Sequence, residues 1–287
     1  MKKIWFFPLL ALLAASQAQG RDADKYKLEK KDVAERVFRL APEAQPLVIK
    51  VDNVLGSITA SGAPGSQVRM TLKKTLRADT REWLARAESE VQLIISEKEG
   101  LLELYVDGPF RRREGRRCAD DREYDARYDF ELQVPERCDL VLKTVTDGDI
   151  TVRDVTGAFT VRNVNGHVEM SGIAGSGSGR TVNGRVRAAF RQAPAEPCEF
   201  KTVNGNIEVS LTPEQTADFK VKTFNGGVYS DLPVSCLPYR VEASRREKGR
   251  FVYNGRGYRK VRVGSGGAEI TLDTLNGDIL IAAGKTN

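Results

Sequence analysis

Between residues 145 and 190 apolar and polar residues alternate in short bursts, and the bursts keep step with glycine. Glycines stand at 148, 157, 166, 175 and 184, nine residues apart. Two positions after each come Ile150, Phe159, Val168, Gly177 and Val186; four positions after come Val152, Val161, Met170, Gly179 and Ala188. Seven positions after come Val155, Val164, Ile173 and Val182, and the residues between, such as Thr151, Arg153 and Arg187, are polar. Each unit reads as a short strand with one buried face, a corner, and one further inward residue. Asn183-Gly184, Asn204-Gly205, Asn225-Gly226 and Asn276-Gly277 extend the series, each glycine with an apolar residue two positions before and two after.

Two arrangements accommodate these corners. Asn-Gly between alternating runs is a hairpin signal, so an antiparallel meander is one. A fixed register with three inward positions in phase favours the other, a parallel β-solenoid of about 18–21 residues per coil, two nine-residue units making one coil. Asn and Gly tolerate positive φ at corners, and stacked Asn side chains can hydrogen-bond along such an axis. The unit from Ser171 to Gly184 carries glycine at both inward strand positions and reads as a side-chain-poor rung. It is not a phosphate loop, because Arg180 stands where a third glycine is required.

Residues 136–287 form the repeat region, and residues 21–135 read as a β-rich cap. Within the cap, Pro46–Gly62 resembles a degenerate first copy of the repeat turn. Asp79–Glu90 has Trp83, Leu84 and Ala87 at helical spacing, with Asp79 or Thr80 as cap, and Val91–Gly108 reads as a hairpin about Gly100. The expected fold class is all-β with one short helix.

Composition narrows the setting. Lys2 and Lys3 precede an apolar run from Ile4 to Ala15 and a small-residue zone with Ser16/Ala18 or Ala18/Gly20 at the cleavage positions. Residues 1–20 thus read as a secretory signal peptide whose apolar run is too short to span a bilayer, and no later segment is long and apolar enough to do so. Removal of the two signal lysines lowers the net charge from +6 to +4. An exported, mildly basic chain points to the periplasm or the cell surface, and to an anionic envelope glycan or an envelope protein rather than nucleic acid. Cys118, Cys138, Cys198 and Cys236 are an even set, and nearest-neighbour pairing gives Cys118–Cys138 and Cys198–Cys236 as expected disulfides.

Catalytic signatures are sparse. His167 is the only histidine, which leaves no His-rich metal site, and no serine is singled out as its partner. Asp147, Asp149 and Asp154 cluster without the glycine pattern of calcium nonapeptides. Asp149, Glu169 and Glu208 are the outward carboxylates a β-helix glycan enzyme would need, with nothing in the sequence to bring them together. No cofactor is indicated. Arg111, Arg112, Arg113, Arg116 and Arg117 form the densest basic run, a candidate patch for anionic glycans or headgroups, although Asp120, Asp121, Glu123 and Asp125 follow closely. A second basic stretch, Ser244–Gly267, is interleaved with Phe251, Tyr253 and Tyr258 and reads as a hairpin interrupting the last coils.

The segments RVFRLAPEAQPLVIKVDNVLGSITASG, YDFELQVP, KTFNGGVYSDLP and GGAEITLDTLNGDILI, with the TVNG series, resemble the bacterial "putative adhesin" family from about Arg36 to Ile281. The resemblance implies an exported β-solenoid behind a β-rich cap, with no established ligand, catalytic residues or cofactor, and some relatives are tied to envelope-stress systems. The expected function is a non-catalytic envelope-binding module or adhesin, with an accessory of envelope-stress sensing or a polysaccharide-active enzyme as alternatives.

Overall fold

The computed structural model describes residues 26–39, 47–111, 123–238, 245–247, 250–252 and 257–284. The expected signal peptide lies outside them. Alternation becomes strand almost wherever the sequence shows it. The first part holds β1 (Leu28–Arg39), β2 (Val48–Asp52), β3 (Ile58–Ala63), β4 (Gln67–Ala78), α1 (Arg81–Glu90), β5 (Gln92–Lys98), β6 (Leu101–Asp107) and β7 (Tyr124–Pro135). Then follow β8 (Asp139–Lys143), β9 (Ile150–Arg153), β10 (Phe159–Arg162), β11 (Val168–Ile173), β12 (Gly177–Arg180), β13 (Val186–Phe190), β14 (Cys198–Asn204) and β15 (Ile207–Leu211). The last stretch holds β16 (Ala217–Asn225), β17 (Val228–Ser230), β18 (Val234–Leu237), β19 (Arg245–Glu247), β20 (Arg250–Val252), β21 (Arg259–Val263), β22 (Glu269–Asn276) and β23 (Ile279–Ala283).

Two large sheets result. One runs β1-β4-β7-β3-β9-β11-β13-β15-β23-β17, the other β18-β21-β16-β22-β14-β12-β10-β8-β2-β6-β5. From β8 to β15 consecutive strands alternate between the sheets, and each pairs in parallel with the strand two places on. Phe159 of β10 stands beside Leu140 of β8 and Gly177 of β12, and Val168 of β11 beside Ile150 and Val186. The sheets are mixed, not uniformly parallel. β1 with β4, β4 with β7, β5 with β6, and β21 with both β16 and β18 pair antiparallel at the two ends; of these only β5 and β6 are joined by a tight turn.

Strand pairs do not stack in chain order. β22 lies between β14 and β16, and β23 between β15 and β17. At the other end β2 lies between β6 and β8, and β3 between β7 and β9. The core between the sheets takes the predicted inward residues: Ile150, Val152, Phe159, Val161, Val168 and Met170 are all buried, each contributing about 1.5–3 kcal/mol. The glycine-rich rung β12 completes this core. A side chain at Gly179 would stand 3.0 Å from the Phe200 ring, which fills that space and stacks on Phe159 at 6.2 Å.

The nine-residue period resolves into two kinds of corner. Gly157 and Gly175 mark one, and the Asn-Gly glycines the other. Val155 and Ile173, beside the first corner, are buried as expected, whereas Val164 and Val182, beside the second, face outward. Glycine is required at both corners by close approach of backbones. A Cβ on Gly166, Gly184, Gly205 or Gly277 would meet the carbonyl oxygen of the glycine one coil away at 2.0–2.2 Å, and one on Gly175 would meet that of Gly157 at 1.8 Å. Among the described residues the non-glycine positions with positive φ are Asp147 and Asp154, neither of them an Asn of these pairs, so the Asn-Gly corners are not the tight hairpin turns their sequence resembles. Gly148, at the degenerate Asp147 copy, approaches Gly56 in the same way, and Gly226 approaches Gly277.

Two ladders of side-chain hydrogen bonds cross the Asn-Gly corner. Thr144, Thr181, Thr202, Thr274 and Thr223 donate their hydroxyls to the carbonyls of Gly56, Gly166, Gly184, Gly205 and Gly277 at 2.8–2.9 Å. Asn183 donates to Asn165, Asn204 to Asn183, Asn276 to Asn204 and Asn225 to Asn276, amide to amide, at 2.7–2.8 Å. The helix forms as predicted, with Thr80 as its cap, the hydroxyl accepting from Trp83 N–H at 3.2 Å.

The expected disulfides are not formed where the structure describes them. Cys138, Cys198 and Cys236 are free thiols, and Cys118 lies outside the described residues. Cys198 is buried at the start of β14, while Cys236 is exposed on β18, at the edge of the same sheet and four strands away, some 19 Å at about 4.8 Å per strand. Cys138 is no substitute partner: Cys198 stands three strands away in that sheet, level with Leu140, and at ~4.8 Å per strand this is far beyond disulfide reach. Burial pushes the Cys138 thiol up to about 12 and also raises that of Cys198.

Gly205→Ala is expected to destabilise the protein by at least ~3 kcal/mol, because the clashing atom is backbone. Asn204→Ala, which removes two ladder bonds, should cost more than Asn225→Ala, which removes one, at ~0.5–1 kcal/mol per bond. Urea denaturation measures both. Thiol labelling of the native protein at pH 8, read by peptide mapping, should modify Cys236 and spare Cys138 and Cys198 until unfolding.

Candidate functional site

The Asn-Gly corner leaves a consequence on the outside of the eleven-stranded sheet. In each coil it is preceded by a short string of three positions: a long polar residue, an inward Thr or Asn, and an outward apolar residue. Parallel pairing aligns like positions. Lys143, Arg162, Arg180 and Lys201 are consecutive partners across β8, β10, β12 and β14. Asp52 of β2 borders this row at one end and Asp273 of β22 at the other, with Lys222 of β16 beyond. At about 4.8 Å per strand the four cations span about 14 Å.

Beside the cations runs the apolar row Val145, Val164, Val182, Val203, Leu275 and Phe224. Its last four members are between 37% and 49% exposed, so this is a deliberate apolar feature of the surface and not a leak from the core. Between the rows the floor is formed by Thr144, Asn163, Thr181, Thr202 and Thr274, all buried. The three rows enclose an open groove of about 600 Å³.

The charge is partly compensated. Glu199 accepts from both Arg180 and Lys201, and Lys143 stands 3.5 Å from Asp52. Arg162 has no carboxylate within ion-pair distance among the described residues, and Lys222 lies over the ring of Tyr258 at 5.4 Å. Burial alone would raise the Glu199 carboxyl, but hydrogen bonds from Lys201 and Arg180 outweigh it and hold the group below the usual carboxylate range.

The other sequence candidates fall elsewhere. Arg111 is tied into the fold: its guanidinium donates to the carbonyls of Val106 and Asp52, pairs with the Asp52 carboxylate at 2.9 Å and lies 4.3 Å over Tyr105. Arg112, Arg113, Arg116 and Arg117 lie outside the described residues. Glu169 and Glu208 stand two coils apart with Arg187 between them, and pair with Arg185 and Arg187 respectively. Asp149 accepts from the His167 N–H at 2.7 Å, and His167 Nδ1 in turn accepts from the Arg185 N–H at 3.0 Å. These side chains brace neighbouring coils. Among the described residues no three His, Cys, Asp or Glu side chains are grouped to hold a metal ion, and no helix is long and apolar enough to cross a membrane. The groove is not evident from sequence because nine-residue spacing makes Val164 and Val182 read as inward; the signal that points to it is the recurrence of Lys or Arg two residues before them.

No family model matches the chain, and no curated protein matches it. Among solved structures it is similar to a "putative cell adhesion protein" from Clostridium sporogenes, at 12% identity and a TM-score of 0.41 over 88% of this chain and 100% of that one. It is also similar to a "putative adhesin" from Bacteroides fragilis, at 10% identity and a TM-score of 0.40 over 87% of this chain and 96% of that one. A "putative lipid binding protein" from Parabacteroides distasonis aligns at 10% identity and a TM-score of 0.27 over 88% of this chain and 95% of that one.

Carbon-detected NMR should find Glu199 titrating below the ordinary 4.5, and Arg180→Ala combined with Lys201→Ala should bring it back up. Its folded value is depressed, so its contribution to stability is complete above the unfolded value and is lost as pH falls through the folded one.

Proposed function

We propose that this chain is a non-catalytic, exported envelope-binding module, a β-solenoid of 18 to 21 residues per coil that holds an elongated anionic partner along its basic and apolar groove. One observation carries the reading: cations and outward aliphatic side chains form parallel rows over consecutive coils, in register, on a floor of hydrogen-bonded Thr and Asn. A row of charges at fixed spacing on a stiff support suits a partner that is itself long and repetitive, with many weak contacts acting together. Binding site and scaffold are then one structure, and the signal peptide that residues 1–20 are expected to form, with the basic balance of the remaining chain, accords with a role at the envelope.

The mature protein should be retained on isolated envelope fractions at low salt and released as salt rises. Arg162→Glu with Lys143→Glu should abolish retention, whereas Glu199→Gln, which frees Arg180 and Lys201, should strengthen it several-fold. Retention that ignores salt and all three changes would overturn the reading.

A further inference from the structure

Resting on that reading, we infer that the groove takes an amphipathic α-helix with an acidic flank, a segment of an envelope protein, in preference to a glycan strand. The argument begins with spacing. Rungs of the groove recur every ~4.8 Å. An extended peptide laid along the rows brings same-side residues round only every ~6.6–6.8 Å, and by the third rung it is out of phase. A helix returns a side-chain stripe every turn, about 5.4 Å, and a tilt of about 25–30° against the rows shortens that repeat to the rung spacing. The six apolar residues aligned from Val145 to Phe224 cover five steps, about 24 Å, which at that tilt takes about 18 residues of helix.

Chemistry points the same way. Five of the six members of the apolar row, Val145, Val164, Val182, Val203 and Leu275, are aliphatic. Sugar rings dock by their C–H faces on flat aromatic rings, and an aliphatic ridge offers no such platform; leucine and valine stripes of a helix interdigitate with it directly. The cationic row lies to one side of the ridge only, so the helix that fits carries Asp or Glu on one flank of its apolar stripe, at i, i+4 and i+7. Arg162, without a carboxylate of its own, sits within the row as the first anchor; Asp52 closes the row at one end and Asp273 interrupts it before Lys222, and acid on the helix opposite either aspartate is repelled. The groove has the length, polarity and one-sided charge of a helix acceptor.

The test uses the full mature chain and three probes: a synthetic helical peptide of about 18 residues with a leucine stripe and one glutamate flank, the same composition scrambled, and an oligogalacturonate of similar length. Fluorescence anisotropy should show the helical peptide binding at least ten-fold more tightly than the scrambled one, with affinity falling as salt rises. Val182→Asp and, separately, Arg162→Glu should each lose that affinity at least ten-fold, while Arg153→Glu, on the other sheet, should leave it unchanged. Unaltered melting temperatures establish that the variants fold, and Val182, already outward, tolerates the change. If oligogalacturonate binds in an Arg162-dependent way and the helical peptide binds no better than its scramble, the helix inference is overturned and the envelope-binding reading stands. If neither probe binds and the envelope fractions also fail to retain the protein, both fall together.

Discussion

The structure depends on a contact between backbones: at every Asn-Gly corner the glycine Cα sits against the carbonyl of the glycine one coil away. A methyl group there would lie about 2 Å from that oxygen, so the corner closes only with glycine. The contact fixes the phase of neighbouring coils, and once phase is fixed every flanking position is in register as well. The Thr hydroxyls then fall on the same carbonyls, and the Asn amides fall on one another. Outside, the same constraint lines up Arg162 with Arg180 and Lys201. The groove is thus a consequence of the corner: residue types repeated for the backbone's sake become rows, and a row of cations beside a row of aliphatic side chains is a surface with direction and length.

Any stack of parallel strands must end somewhere, and open ends invite pairing with other chains. Here the chain interleaves its own ends. β22 and β23 return after a long excursion and enter beneath β16 and β17, completing the Asn ladder through Asn204, Asn276 and Asn225. At the other end β2 and β3 are covered by β6 and β7. There β4 and β1 extend one sheet antiparallel while α1 packs beside them, with the Tyr128 hydroxyl donating to the Val91 carbonyl at 2.8 Å. Each end therefore depends on contacts between segments far apart in the chain, which makes the stack cooperative rather than free to fray coil by coil.

Much of this was legible beforehand. Nine-residue spacing marks Ile150, Val152, Val168 and Met170 as inward and the asparagines as stackable, and helix-start signals mark Asp79 or Thr80 as the cap, of which the structure uses Thr80, because each follows from local pattern. Other features were hidden by the same regularity. A nine-residue repeat conceals that alternate corners differ, so Val164 and Val182 read like Val155 and Ile173 although they face water. The insertion of β22 between β14 and β16 is a long-range choice among several equivalent copies of one motif, and no copy announces its neighbour. The cysteines misled for a physical reason: even number and nearest sequence separation say nothing of height along the stack, and Cys198 and Cys236 sit four strands apart. The groove was visible only as basic residues scattered between valines until pairing put them side by side.

Register also bears on chemistry. Pairing in phase sets equivalent positions side by side, and in the row that holds Glu169 and Glu208 the basic Arg187 stands between the two carboxylates. Converging two acids on one bond requires breaking phase, by a bulge, an insertion or a loop folded over the face. The cationic row keeps phase through four consecutive strands and is interrupted first at β22, where the returning segment brings Asp273 into line with Lys201 and Lys222. The same insertion that closes the stack thus also sets the length of the basic row. A single contact in such a row is weak in water, since exposed charges interact by about 1 kcal/mol or less. Four on a stiff support lose little further entropy once the first is made, which is how a shallow surface can grip a long partner and release it when salt screens the row.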